Sequence, residues 1–94
     1  MNIIEIYQQA ISRLNQLFYE HDPAGTCCKE NEMKDEYMME SKAIISKYVM
    51  VYGKTINEFS VEDVQLIFTR SFMSEYDSKM IEQIFPQIKD ILES

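Results

Sequence analysis

Apolar residues recur along this chain at helical spacing in four stretches, and a breaker closes most of them. Ile4, Tyr7, Ile11, Leu14 and Phe18 fall three or four residues apart, with Ala10 and Leu17 widening the stripe, the pattern of an amphipathic helix. Glu5, Gln8, Gln9, Ser12, Arg13 and Gln16 take the opposite side. The spacing predicts a helix from about Asn2 to Glu20 that closes near His21, because Pro23 pushes Asp22 out of the α region. Gly25 then supplies φ > 0 if the turn needs it.

A polar loop over Ala24 to Asn31 leads into a second helix, predicted to start between Glu32 and Asp35, where acidic residues suit the helix dipole. Its core stripe reads Met33, Tyr37, Ile44, Tyr48 and Val51, with Met38, Ile45, Val49 and Tyr52 alongside. Gly53 is a natural residue to follow its end. Around Val49-Met50-Val51 a strand competes with the helix, although the flanks are helical. The third helix opens with Ser60 as N-cap, Asp63 in the capping-box position and Phe59 placed to staple onto Val64. Val61, Val64, Phe68 and Phe72 form its stripe, helped by Leu66 and Ile67. Asp77 or Ser78 caps a fourth helix carrying Met80, Ile81, Ile84, Phe85, Ile88, Ile91 and Leu92, and Pro86 removes the bond to the Glu82 carbonyl. The expectation is an all-α, single compact domain over residues 1–94, of about four amphipathic helices, the last broken or kinked at Pro86.

Charge narrows the classes of function. Nine Lys+Arg against 16 Asp+Glu leave a formal net charge of −7, which disfavours direct binding of nucleic acid or of an anionic membrane. It suits a basic protein partner, or merely solubility. Met1-Asn2-Ile3-Ile4-Glu5 carries no basic n-region, and no stretch reaches the roughly 18 apolar residues of a membrane span. Cys27 and Cys28 are adjacent, a spacing that suits neither a disulfide framework nor a zinc knuckle. The chain therefore reads as cytoplasmic.

Few residues suggest catalysis. His21 stands beside Asp22 and near Cys27-Cys28; such a set could in principle serve as base and nucleophile or hold a metal. The plainer reading puts His21 against the last carbonyls of the first helix and makes the cysteines small loop hydrophobes. No catalytic, cofactor-binding or metal-ligating residue is assigned. The six Tyr and five Phe fall mostly on core stripes, without the basic groove of a base-stacking surface. Seven Met are read first as gap-fillers of the core, with an adaptable binding groove as the alternative. The oddest feature is a like-charge ladder: Glu32, Glu36 and Glu40 are four apart, and each such pair on a helix costs roughly 0.2–0.5 kcal/mol. Asp35 adds to it, and Glu62 with Asp63 makes a second acidic cluster. Such a face is either simply solvated or kept for a basic partner.

His21-Asp22-Pro23-Ala24-Gly25, then Asp35-Glu36-Tyr37-Met38-Met39-Glu40, then Val64, Ile67-Phe68 and Phe72 together resemble a family of small acidic bacterial proteins with D-P-x-G and D-E-Y-x-x-E motifs. The resemblance spans about Ile11 to Phe72. Such proteins look like immunity proteins, including those of contact-dependent growth inhibition systems. It implies a non-enzymatic inhibitor without cofactors that binds a basic toxin protein, commonly a nuclease domain, in the cytoplasm and occludes its active-site cleft. The expected partner-binding residues are Glu32, Asp35, Glu36 and Glu40, with Glu62 and Asp63 as an extension. The runner-up is a regulatory or scaffold module with an unrelated cellular partner; a metal or thiol enzyme comes third.

Overall fold

Helix α1 of the computed structural model spans Ile3–His21. The structure describes residues 3–94 along the backbone and residues 7–94 by side chain. The start at Asn2 and the placing of Ile4 and Glu5 therefore lie outside the described residues. From Tyr7 onward the pattern holds: Leu14, Leu17 and Phe18 are buried, Tyr7, Ala10 and Ile11 pack against them, and Gln8, Gln9, Ser12, Arg13 and Gln16 are exposed. The helix gives way at Asp22, before Pro23, as proline sterics require.

Helix α2 spans Met38–Ser46, several residues later than the sequence suggests. The residues before it form successive turns, with Glu32 in the left-handed region at φ 54. A helix there would have stacked Glu32 over Glu36 and Glu36 over Glu40; the turns dissolve that ladder. Past Ser46 the helix widens into a π-helical turn over Lys47–Val51, so the segment is not a strand. The wider turn rotates the register: Ile44, Ile45 and Tyr48 stay buried, whereas Val51 is exposed. Gly53 follows Tyr52 at φ 55, the left-handed stop that glycine favours.

A 3₁₀ turn at Ile56–Glu58 precedes α3, Val61–Phe72. Ser60 and Asp63 form the expected capping box. Val64, Ile67 and Phe68 face inward, while Leu66 is exposed. Asp77 caps α4, Ser78–Glu93, by accepting from Met80 N at 3.1 Å. This last helix runs unbroken through Pro86. Ile81, Ile84, Ile88, Ile91 and Leu92 are buried on either side of the proline, which itself is exposed. Burial of that stripe outweighs one missing backbone bond.

Helix α1 packs on α2 and α4, and α3 packs on the same two helices, so the core forms where the four meet. At its centre Phe18 and Phe68 meet edge-on at 5.1 Å, and Tyr37 stacks on Phe68 at 5.9 Å, geometries that aromatic quadrupoles favour. The described residues contain four α-helices and no strand. No described helix is long and apolar enough to cross a membrane. Met33 packs partly buried against the core, as a gap-filler does, but other methionines depart from that expectation. None of the six with described side chains is fully buried, and Met39, Met50 and Met73 are 79%, 81% and 79% exposed.

Candidate partner-binding site

One carboxylate organises the chain between α1 and α2. Asp22, at φ 49, turns its side chain over the residues that follow. Its Oδ1 accepts from Thr26 N and Thr26 Oγ1, both at 2.9 Å, and its Oδ2 accepts from Cys27 N at 2.9 Å. Tyr37 then donates its hydroxyl to Oδ1 at 2.6 Å and accepts from Ala24 N at 3.0 Å. Burial by itself would raise the pKa of Asp22, but the bonds from Tyr37, Thr26 and Cys27 outweigh it and hold the carboxyl below its ordinary value. Burial and the bond to Asp22 push the Tyr37 hydroxyl up, so it remains a donor. Asn15 on α1 grips the same stretch, donating Nδ2 to Lys34 O at 2.6 Å.

These ties hold the 32–36 turns opposite the end of α3. Between them lies an open groove of about 750 Å³. Glu32, Asp35, Glu36 and Glu40 line it together with Lys34 and Arg70, and Met33, Met39 and Phe72 give it apolar surface. Four carboxylates against two cations leave the lining acidic by two charges. Lys47 Nζ–Asp63 Oδ1 at 3.0 Å is the one ion pair among the described residues, so neither Lys34 nor Arg70 neutralises a groove carboxylate at that range.

Glu40 differs from the other acids. It is only 6% exposed, and its Oε1 has no hydrogen-bond partner among the described residues. A buried acceptor left unpaired costs about 1–3 kcal/mol, and most buried polar groups in folded proteins avoid that cost.

The structure therefore divides the six acidic residues expected to bind a partner. Glu32, Asp35, Glu36 and Glu40 meet in one groove, although turns and not a helix face bring them there. Glu62 and Asp63 lie at the opposite end of α3 from Arg70, about 12 Å away along the helix axis. Glu62 is exposed. Asp63 is buried and occupied: it accepts from Ser60 N at 2.8 Å, Ser60 Oγ at 3.1 Å and Tyr52 OH at 2.8 Å, besides the ion pair with Lys47. Burial would raise its pKa, yet these bonds hold it below the ordinary value. Asp63 caps a helix and does not extend the acidic face.

Arg70 and Phe72 were not legible as part of the site, because they come from α3 and reach the groove only through tertiary packing. His21 ends α1 as a basic residue in its last turn. Cys27 is exposed and Cys28 buried, both free; burial pushes the Cys28 thiol up, which makes it a poor nucleophile. No three His, Cys, Asp or Glu residues among those described converge in a metal-holding arrangement.

Comparison of the chain with protein families, with curated proteins and with solved structures finds no match.

Proposed function

We propose that this chain is an immunity-type inhibitor that binds a basic toxin domain, commonly a nuclease, and occludes its active-site cleft. The observation that carries the reading is the groove between the 32–36 turns and the end of α3. Its carboxylates stand without ion-pair partners among the described residues, and one of them is buried. A nuclease must attract a polyanion, so its cleft is basic. An acidic surface exploits the same field, gaining association rate by steering and specificity by charge complementarity. Two further features support the reading. The net charge of −7 lies on a chain of only 94 residues. The resemblance of the Asp22-Pro23-Ala24-Gly25 and Asp35-Glu36-Tyr37-Met38-Met39-Glu40 stretches to small acidic immunity proteins points the same way. Exposed Met39 at the groove adds an adaptable apolar contact.

Co-expression tests the reading. An immunity gene lies directly beside that of its toxin, so the neighbouring gene's product should arrest growth alone and be silenced by this chain. Growth arrest that persists when both are expressed and folded would overturn it.

A further inference from the structure

We propose that a second groove, between α1 and the stretch running from α2 into the π-helical turn, docks an acidic amphipathic helix of a partner protein. This groove shares no lining residue with the acidic one, and the proposal stands apart from the toxin-binding reading.

Its shape suits a helix. Tyr7 and Ile11, one turn apart on α1, form one wall; Ile45, Val49 and Met50 form the apolar part of the other. The groove encloses about 230 Å³, room for large apolar side chains and not for a whole domain. From Lys42 to Met50 it runs about 12 Å along the chain's second helical stretch. Since α1 packs on α2, a trough between them presents two ridges to a third helix. The π-helical turn extends the apolar surface outward, leaving Met50 81% and Val51 66% exposed. Adjacent exposed apolar side chains beside a groove mark a contact surface more often than bare solvent.

Charge decides what covers it. From Ser41 to Asn57 the sequence carries three lysines and no Asp or Glu, on a chain of net charge −7. Lys47 is occupied by Asp63. Lys42 is exposed and lines the groove, and exposed Lys54 places its Nζ 5.1 Å from the centroid of the Tyr7 ring. Neither forms an ion pair among the described residues, and no carboxylate lines the groove. A helix with leucine-like side chains on one face and carboxylates along its edges meets both demands at once. Nucleic acid offers the apolar walls nothing, and two lysines are too few to hold so acidic a chain on an anionic membrane. A second copy docked about a two-fold axis would set the same lysines against each other.

The test labels the methionine methyl groups of the whole chain with carbon-13 and titrates it with a peptide of two Glu-Leu-Leu-Gln-Glu-Leu-Ala repeats, blocked at both ends. One control peptide carries lysine in place of glutamate, and another carries serine in place of leucine. The acidic peptide should give a saturable shift at the Met50 methyl. Met39 and Met73, which are as exposed but lie outside this groove, should move little, and neither control should move Met50. The double variant Lys42→Glu, Lys54→Glu should weaken the peptide at least about fivefold, with its backbone spectrum otherwise preserved. Equal shifts at the three methionines, an equal Met50 response to either control, or unchanged affinity in the double variant would overturn the proposal. So would a Met50 shift with phosphatidylglycerol vesicles but not with the peptide, which would make the face a membrane surface. A Met50 shift that follows the concentration of the protein alone would assign the groove to a second copy and also overturn it.

Discussion

Tyr37 donates a hydrogen bond from its hydroxyl to Asp22 Oδ1 at 2.6 Å, and this bond joins the turn that ends α1 to the segment that leads into α2. The tyrosine is completely buried among Phe18, Phe68 and Phe72. It thus anchors the acidic 32–36 turns to the core, and the groove depends on it.

Tyr37→Phe removes the donor to Asp22 and the acceptor for Ala24 N, and should cost about 1–3 kcal/mol of stability at neutral pH. The folded-state pKa of Asp22 lies below the ordinary 3.8. In acid the unfolded chain therefore binds more protons, and the Asp22 contribution is complete above 3.8 and lost as pH falls through the folded value. Losing the Tyr37 bond raises that folded value. Urea unfolding at pH 7 and at pH 3 should show the variant closer to the wild type at the lower pH.

Gly25, at φ +62, has nothing within 4 Å of where a Cβ would stand. Gly25→Val therefore meets no clash with neighbours, and its cost comes from the left-handed backbone, of order 1 kcal/mol or more. Thermal unfolding checks it; an unchanged midpoint would contradict the assignment.

The helical stripes of α1, α3 and α4 were legible because each lies within one segment and repeats at the helical period. The capping box at Ser60 and Asp63 was legible for the same reason. Three features were not. The 32–37 stretch has helical composition, but its charge ladder and the pull of Tyr37 toward Asp22 favour turns. The π-helical turn at Lys47–Val51 leaves no mark in the hydrophobic pattern before Val51 swings outward. Pro86 reads locally as a break or a kink, and the isoleucines on both sides keep α4 one continuous helix through it. Of the candidate site, the acids of the 32–40 stretch were visible as a charge cluster. Their meeting with Arg70, the burial of Glu40 and the occupation of Asp63 depend on tertiary packing.

Asp63→Ala should separate structure from binding. It removes the carboxylate that caps α3 and pairs with Tyr52 and Lys47, and should cost about 1–3 kcal/mol. Glu62→Gln, at an exposed neighbour, should cost only about 0.5 kcal/mol, because it gives up no more than a charge in the first turn of α3. If Asp63→Ala keeps full stability, the carboxylate is not the structural cap described.

Glu40→Leu should stabilise the free protein. The substitution removes an unpartnered buried carboxyl oxygen, and relief of about 1 kcal/mol raises the melting temperature of a chain this size by roughly 4–8 °C. A lower melting temperature would mean that the Glu40 carboxyl is satisfied within the fold. Reversal to lysine is not a useful probe at this position, since it would bury an ammonium group at a site 6% exposed.

The rim acids can be reversed without that penalty, because Glu32 and Asp35 are exposed and Glu36 is half-buried in the turns. The most direct test of a steering acidic groove is stopped-flow association of the chain with the toxin domain encoded beside it, measured across ionic strength. The wild type should associate fast and slow steeply with added salt. The triple variant Glu32→Lys, Asp35→Lys, Glu36→Lys should associate at least tenfold more slowly at low salt, with a flatter or inverted salt slope, because rim charges act mainly on the association rate. Equal rates and equal salt slopes for the two folded proteins would contradict the claim that this groove is the docking surface.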